Sequence, residues 1–264
     1  MKAHLFATDR SALQLIDLLP PEIELSALVV PQNRSGQDKV HALKAESDGS
    51  LAIFEHMRGE ALPGKLPPAD IGISWMYSQL FKAKDIKRYS AGILNMHGGA
   101  LPEYRGSNVL QWAIINGESE LGVTWHSIIE EVDAGPVWAE SRIPISRWAT
   151  AADLRQDMIE EGLALFPEAA KLWHGGSSPI RSLTTGDGRI WPGRRPEDGQ
   201  IGPGLTETQV CDMVRALCPP WPPATVEVDG EWRPVAAVKT SETVGSIRYL
   251  SSDSQELFLE LDTS

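Results

Sequence analysis

The sequence predicts an α/β protein: a mostly parallel sheet covered by helices on both faces, followed by a small β-rich piece. Three observations carry this prediction. From residue 2 to residue 173, short apolar runs of strand length alternate with segments of helical period. Strand–helix–strand crossovers of that kind make neighbouring strands parallel, and helices then cover both faces. Residues 174–204 change character: "HGGSSPIRSLTTGDGRIWPGRRPEDGQIGPG" is dominated by Gly, Ser, Pro and Arg and reads as a linker with little regular structure. Beyond it, "ATVEVDGEWRPVAAVKT" has the turn pair Asp229-Gly230 of a β-hairpin. The implied layout is a large domain at 1–175, a linker at 176–204 and a small domain at 205–264.

Taken in order, "KAHLFAT" (2–8) reads as the first strand, and "SALQLIDLL" behind it carries helical spacing of apolar residues. "IELSALVV" is a second strand, with a helix expected from Asp38 to Ala45. "ADIGISW" (69–75) and "AGILNMH" (91–97) are further strands, separated by the helix-like "FKAKDIKRY". "VLQWAIING" is helical and closed by Gly117. The strands "GVTWHSII" and "PVWAESRIPI" follow, then a long amphipathic helix over 150–173 with Thr150 as candidate N-cap. After the linker come a short helix, "ETQVCDMVRAL", the hairpin, and a last strand, "ELFLELD". The first strand-to-helix turn is "ATDRSA", without the G-x-G-x-x-G glycines that let a backbone approach a pyrophosphate, which argues against NAD-type binding.

At 42% hydrophobic and 23% charged residues, the 264-residue chain can bury a sizeable core. Its net charge of −12 opposes broad contact with a phosphate backbone and leaves room only for a small phosphorylated ligand held by a few arginines. No apolar run approaches the roughly 20 residues of a spanning helix. "MKAHLFATDR" lacks a signal peptide's apolar stretch, so a cytoplasmic protein without membrane contact is expected. Cys211 and Cys218 fall on one helix face more than a turn apart, too far for a disulfide, and read as buried, reduced thiols. No Cys/His cluster suggests a metal.

The chemistry concentrates in "ILNMHGGALPEYRGSN" (93–108). Ligands of an open parallel sheet bind beyond the carboxyl ends of its strands, where Asn95 and His97 fall. Two residues apart in an extended segment, they point to the same side, with Met96 on the other. Gly98 and Gly99 leave room for a ligand near the backbone. A third group is Asp133 in "EEVDAGPV", where Gly and Pro mark a loop rejoining the sheet. Asn, His and Asp together suit acyl transfer to an amine without a covalent intermediate: two donors for the tetrahedral oxygen and a carboxylate for the amine proton. His126, inside the strand "VTWHSII", reads as structural or at most site-lining.

The region "LNMHGGALPEYRGSNVLQWAIINGESELGVTWHSIIEEVDAGPVWAESRIPI" resembles the signature of the 10-formyltetrahydrofolate-dependent formyltransferases: Asn-x-His, Leu-Pro-x-x-x-Gly and a downstream Asp-x-Gly, in order. The resemblance implies a Rossmann-like formyltransferase domain with Asn95, His97 and Asp133 catalytic, and 10-formyltetrahydrofolate as co-substrate without a metal. It implies pterin contacts from Ser78, Gln79, Leu80 and Phe81 on one wall and from Ile129, Glu130 and Val132 on the other. "GRRPEDGQI" with "VCDMVRALCPPWPPATV" resembles the linker and C-terminal start of the amino-sugar N-formyltransferases, a layout shared with methionyl-tRNA formyltransferases, which implies an OB-like C-terminal domain. Where the family often has Ser-Leu-Leu-Pro after the His, this chain has Gly-Gly-Ala-Leu-Pro.

Three acceptors fit such a site. Charged tRNA would have to approach residues 201–264, where four basic residues face ten acidic ones, a balance of −6. Glycinamide ribonucleotide transformylases have a similar "EEVDAGPV" but usually no C-terminal extension, and their first loop is glycine-rich. A nucleotide-linked amino sugar fits the acidic chain and the small C-terminal piece best. Arg10, Arg105, Arg194 and Arg195 are candidates for its diphosphate, with Gly98 and Gly99 beside the sugar. A formyltetrahydrofolate hydrolase and a non-catalytic folate- or nucleotide-binding protein are the rival functions, and a homodimer is the assembly kept open. Trp191 and Trp221 could stack on a base or a sugar, or simply pack.

Overall fold

The first strand, β1 (Lys2–Ala7), is buried from Ala3 to Ala7, as expected of a strand covered on both faces. The computed structural model describes residues 1–8, 10–32, 51–184 and 186–262, and the helix expected at 38–45 lies outside them. After β1 come α1 (Ala12–Asp17), β2 (Glu24–Gln32), β3 (Ile53–Met57), β4 (Ile71–Trp75), α2 (Ala83–Ile86) and β5 (Ile93–His97). They are followed by β6 (Arg105–Gly106), α3 (Val109–Ile115), β7 (Glu120–Ser127), β8 (Val137–Pro144) and α4 (Ala151–His174). The rest comprises β9 (Ile190–Trp191), a 3-10 turn (Pro196–Gly199), β10 (Gln200–Ile201), α5 (Glu207–Ala216), β11 (Thr225–Val228), β12 (Glu231–Lys239), β13 (Ile247–Leu250) and β14 (Glu256–Leu261). The stretch read as a linker thus holds two short strands and a turn, with β9 paired to β6. No helix among the described residues is long and apolar enough to cross a membrane.

Seven strands form one sheet in the order β3-β2-β1-β4-β5-β7-β8. The pairs β2–β3, β1–β2, β1–β4 and β4–β5 are parallel, and β5–β7 is antiparallel. This is the mostly parallel sheet read from the sequence. A separate five-stranded sheet, β10-β11-β12-β14-β13, makes the C-terminal part β-rich. Strand order reverses between β1 and β4, and a crevice at the carboxyl ends of the strands beside such a switch point is where open α/β sheets bind ligands.

The described chain separates into two compact units. The first comprises Met1–Arg105, Gly122–Ser141 and Ile159–Arg189. Its sheet presents two different rows of side chains. One row, Trp75–Met96–Trp125, runs across β4, β5 and β7 in register. Trp75 and Trp125 stack at 5.8 Å, and Trp125 meets Phe166 at 5.1 Å. The Trp125 indole donates to the Gly162 carbonyl at 2.8 Å and the Trp75 indole to Ser11 Oγ at 2.8 Å, so neither buried N–H is orphaned. Helix α4 comes so close here that a Cβ on Gly162 would lie 3.1 Å from Trp75 and 3.3 Å from Met96. The opposite face holds the cluster Phe6, Ala27, Val29, Leu62, Leu66, Tyr89 and Ile93, against which Tyr77, Phe81 and Ile128 pack.

The second unit comprises Gly106–Leu121, Arg142–Met158 and Ile190–Ser264. Helix α5 begins with a capping box, Thr206 Oγ1 accepting from Gln209 N at 3.2 Å and Gln209 Oε1 from Thr206 N at 2.9 Å. The hairpin between β11 and β12 turns where expected, with positive φ at Asp229 (53°) and Gly230 (83°), the pair of left-handed residues a type I′ turn needs. Trp191 packs on Trp112 at 5.4 Å. Cys211 and Cys218 are free thiols, half-buried where full burial was expected.

Candidate active site

Asn95 and His97 lie on the Ile93 face of β5 by strand alternation, with Met96 on the other. The antiparallel register of β7 sets His126 directly opposite Asn95 and Thr124 opposite His97. Gly135 lets the chain after β7 turn tightly, since a Cβ there would lie 1.8 Å from the Ser127 carbonyl. The returning loop carries Asp133, whose φ of +47° is a left-handed conformation a non-glycine adopts only under constraint.

Four polar side chains thus converge within the first unit. Asp133 Oδ2 lies 3.7 Å from His97 Nδ1, and Asp133 Oδ1 lies 3.5 Å from His126 Nε2. Asn95 Nδ2 is 3.0 Å from His126 Nε2. His97 and His126 are 7% and 1% exposed, so neither can satisfy its ring nitrogens from bulk water. His97 Nε2 sits 2.6 Å from the Tyr104 carbonyl, which can only accept, so this nitrogen carries the proton. The ring then presents Nδ1 to Asp133. The predicted trio is brought together, and His126, read from the sequence as structural or at most site-lining, stands beside it. Its contact with Asn95 comes from the pairing of β5 with β7, which no local spacing encodes.

Gly99 has a defined role in this geometry. A Cβ at position 99 would lie 2.6 Å from the Tyr104 carbonyl and 2.7 Å from His97 Nε2. The bare backbone is therefore filled by the His97–Tyr104 hydrogen bond. Gly98 lies between His97 and this close approach, and is half-buried.

Arg105 is 2% exposed. Its Nε donates to the Val132 carbonyl at 2.8 Å, Nη1 to the Asp187 carbonyl at 2.8 Å and Nη2 to Glu131 Oε1 at 2.6 Å. The Arg105 hydrogen bond, with a further one from the Gly186 N–H, holds the Glu131 carboxyl below its ordinary range. In this structure the guanidinium clamps the residues immediately before Asp133. Arg10 is exposed in the turn between β1 and α1, at the carboxyl end of β1. Arg194 and Arg195 belong to the second unit. Arg194 N donates to Asn108 Oδ1 at 3.0 Å, and burial lowers the pKa of its guanidinium.

The residues expected to wall a pterin pocket all lie in the first unit. Ser78 N donates to Thr8 Oγ1 at 3.1 Å, tying the ends of β1 and β4 together. Gln79 Nε2 donates to the His56 carbonyl at 2.9 Å, while its buried Oε1 has no partner among the described residues. Phe81 meets Phe6 edge-on at 4.7 Å, yet its neighbour Leu80 is 76% exposed. On the second segment, Ile128 packs on the same apolar cluster and Ile129 is 40% exposed. Glu130 pairs at the surface with Lys87 at 3.9 Å, and Val132 contributes its carbonyl to Arg105.

Residues 64–170 match the formyl transferase family. Among solved structures, the chain superposes over 100% of its length on 98% of WlaRD, a sugar 3N-formyl transferase solved with dTDP and 5-N-formyl-THF, at TM-score 0.76 and 18% identity. An N-formyltransferase of Helicobacter canadensis, in complex with folinic acid and dTDP-3-aminofucose, matches at TM-score 0.76 and 16% identity over 99% of this chain and 100% of that one. HypX of Aquifex aeolicus, in complex with tetrahydrofolic acid, matches 98% of this chain but with 43% of its own, at TM-score 0.64 and 19% identity. The chain thus has the fold of the sugar N-formyltransferases, and its residues 64–170 are similar in sequence to the formyl transferases.

Proposed function

We propose that this protein is an N-formyltransferase that moves the formyl group of 10-formyltetrahydrofolate to the primary amine of a nucleotide-linked amino sugar. The observation that carries the reading is the convergence of Asn95, His97 and Asp133 at the carboxyl end of β5, within the segment that matches the formyl transferases. The dTDP and dTDP-3-aminofucose bound by two proteins of this fold support the choice of acceptor, as does the net charge of −12 against a polyanionic one.

The amine nitrogen attacks the formyl carbon, and the carbonyl oxygen takes up negative charge. Asn95 has two amide N–H groups; one meets His126 and the other serves that oxygen. With Nε2 committed to Tyr104, the bare Nδ1 of His97 can only accept, so His97 takes up the amine proton rather than serving the oxygen. The proton leaving the amine passes to the His97–Asp133 pair and returns to the folate nitrogen as the tetrahedral state collapses, giving a formamide and tetrahydrofolate. The exposed Leu80 and Ile129 are apolar surface that a pterin would cover, and Gln79 Oε1 is a buried acceptor in want of a ring N–H. On this reading catalysis resides in 1–175 of a cytoplasmic protein. Sedimentation distinguishes a monomer from a homodimer.

The test is an acceptor screen with 10-formyltetrahydrofolate against nucleotide-linked amino sugars, glycinamide ribonucleotide, amino acids and charged tRNA, read by the mass of the product. Formylation of an amino sugar alone is expected. Formate released equally fast without any amine would make the protein a hydrolase, and no turnover in any arm would leave a binding protein. Asn95→Ala and Asp133→Ala should each lose roughly 10²–10³ in kcat.

A further inference from the structure

His126 is 1% exposed and stands opposite Asn95 on the neighbouring strand. Its Nδ1 lies 3.0 Å from the Ser127 carbonyl. A carbonyl cannot donate, so Nδ1 carries the ring proton and Nε2 of the neutral ring is left with a lone pair. That lone pair faces Asn95 at 3.0 Å and can only accept. Of the two ends of the Asn95 amide, only the NH₂ end can meet it. The opposite amide orientation would set two acceptors against each other in a buried place.

From this chain of hydrogen bonds we infer that His126 is a positioning residue. Its Nδ1–H tautomer, fixed by the main chain at Ser127, fixes in turn which way the Asn95 amide faces. The inference rests on the formyltransferase reading for its kinetic consequence, because Asn95 serves the tetrahedral oxygen only with its N–H end in place. It assigns opposite tautomers to the two site histidines: Nε2–H for His97, set by Tyr104, and Nδ1–H for His126, set by Ser127. Asp133 Oδ1, 3.5 Å from His126 Nε2, would favour a proton there, but the Ser127 carbonyl at 3.0 Å from Nδ1 is the closer acceptor and sets the tautomer; the His97 ring lies edge-on at 6.1 Å.

Two measurements on the full-length protein test this. The first is independent of activity: ring ¹⁵N NMR of protein labelled at histidine. His126 should show a protonated Nδ1 and a bare Nε2, and His97 the reverse. A His126 ring protonated at Nε2 would overturn the proposal even if formyl transfer is confirmed. The second compares His126→Leu with His126→Gln in a folded, turnover-competent background. Leucine leaves the Asn95 amide free to rotate, so kcat should fall about 10²-fold, the loss of one oxyanion donor, with KM for the folate unchanged. Glutamine can offer its side-chain oxygen near the place of Nε2, and should recover most of that loss. A His126→Leu enzyme with wild-type kcat, or a His126→Gln enzyme as slow as His126→Leu, would refute the positioning role. Wild-type inactivity on every amine, with the NMR result as expected, would instead discard the formyltransferase reading and leave the tautomer assignment standing.

Discussion

Arg105→Lys is the sharpest perturbation of the loop bearing Asp133 that substitutes none of the proposed catalytic residues. Arginine at this position serves three acceptors in different directions: the Val132 carbonyl, the Asp187 carbonyl and Glu131. Lysine keeps the charge, but its single nitrogen cannot reach three places fixed by a planar guanidinium fork. At least one carbonyl, and in most placements both, loses its donor, at about 1–3 kcal/mol each. The expected loss is therefore roughly 2–4 kcal/mol in equilibrium denaturation, or roughly 5–15 °C in Tm for a chain of this size. The kinetic effect is separable. Val132 immediately precedes Asp133, whose left-handed backbone depends on its surroundings. A displacement of the carboxylate by about 1 Å costs roughly 10²-fold in kcat, with little change in KM. Urea titration and steady-state kinetics on the same preparation give both numbers. A lysine variant as stable and as fast as the wild type would refute the clamp.

Gly99→Ala should lower kcat by about 10²-fold while leaving folate affinity, measured by calorimetry, near wild type, because the new methyl would lie 2.7 Å from His97 Nε2 and must push the ring aside. Gly135→Ala should cost both activity and stability, since its Cβ would lie 1.8 Å from the Ser127 carbonyl and the loop bearing Asp133 cannot close; thermal melts and turnover report it together. Burial first, then the Arg88 charge, push the His4 pKa down to about 4 from 6.5, so the unfolded chain binds more protons between those values and stability falls as pH drops. This group should contribute about 2–3 kcal/mol of loss between pH 7 and pH 4.5, and His4→Phe should flatten the curve by that amount; superimposable pH–stability curves would refute it.

Asn95 and His97 were legible because two local signals coincide there, a run of strand length and a break into glycines. Asp133 was legible only through loop punctuation and resemblance. His126 was read as structural or at most site-lining, since its partner is chosen by the register between β5 and β7, a long-range fact. Arg105 was read as a diphosphate ligand, because a buried clamp and a surface charge have the same letter in a sequence. Strand β3 escaped notice: "IFEHM" puts a glutamate and a histidine into a short run, yet His56 is buried, its Nδ1 2.6 Å from the Tyr77 hydroxyl and its Nε2 3.2 Å from the Glu60 carbonyl. Apart from β3 and the short strands β9 and β10, the alternation of strands and helices among the described residues needed only local patterns and was readable. The strand order, which decides where the site lies, was not.

The close seat of α4 at Gly162 widens the set of positions on which turnover depends. Met96 separates Asn95 from His97 in the chain and touches the helix at that glycine, on the face of the sheet away from the chemistry. A side chain introduced at 162 must push the Trp75 ring and the Met96 side chain by a few tenths of an ångström or shift the helix, and Met96 stands on β5 between the two proposed catalytic residues. A survey of inactivating substitutions in this protein should therefore score hits in the middle of a buried helix that contacts no substrate. Those hits would belong with the active site in any interpretation of natural variation, although no map of the pocket lining would include them.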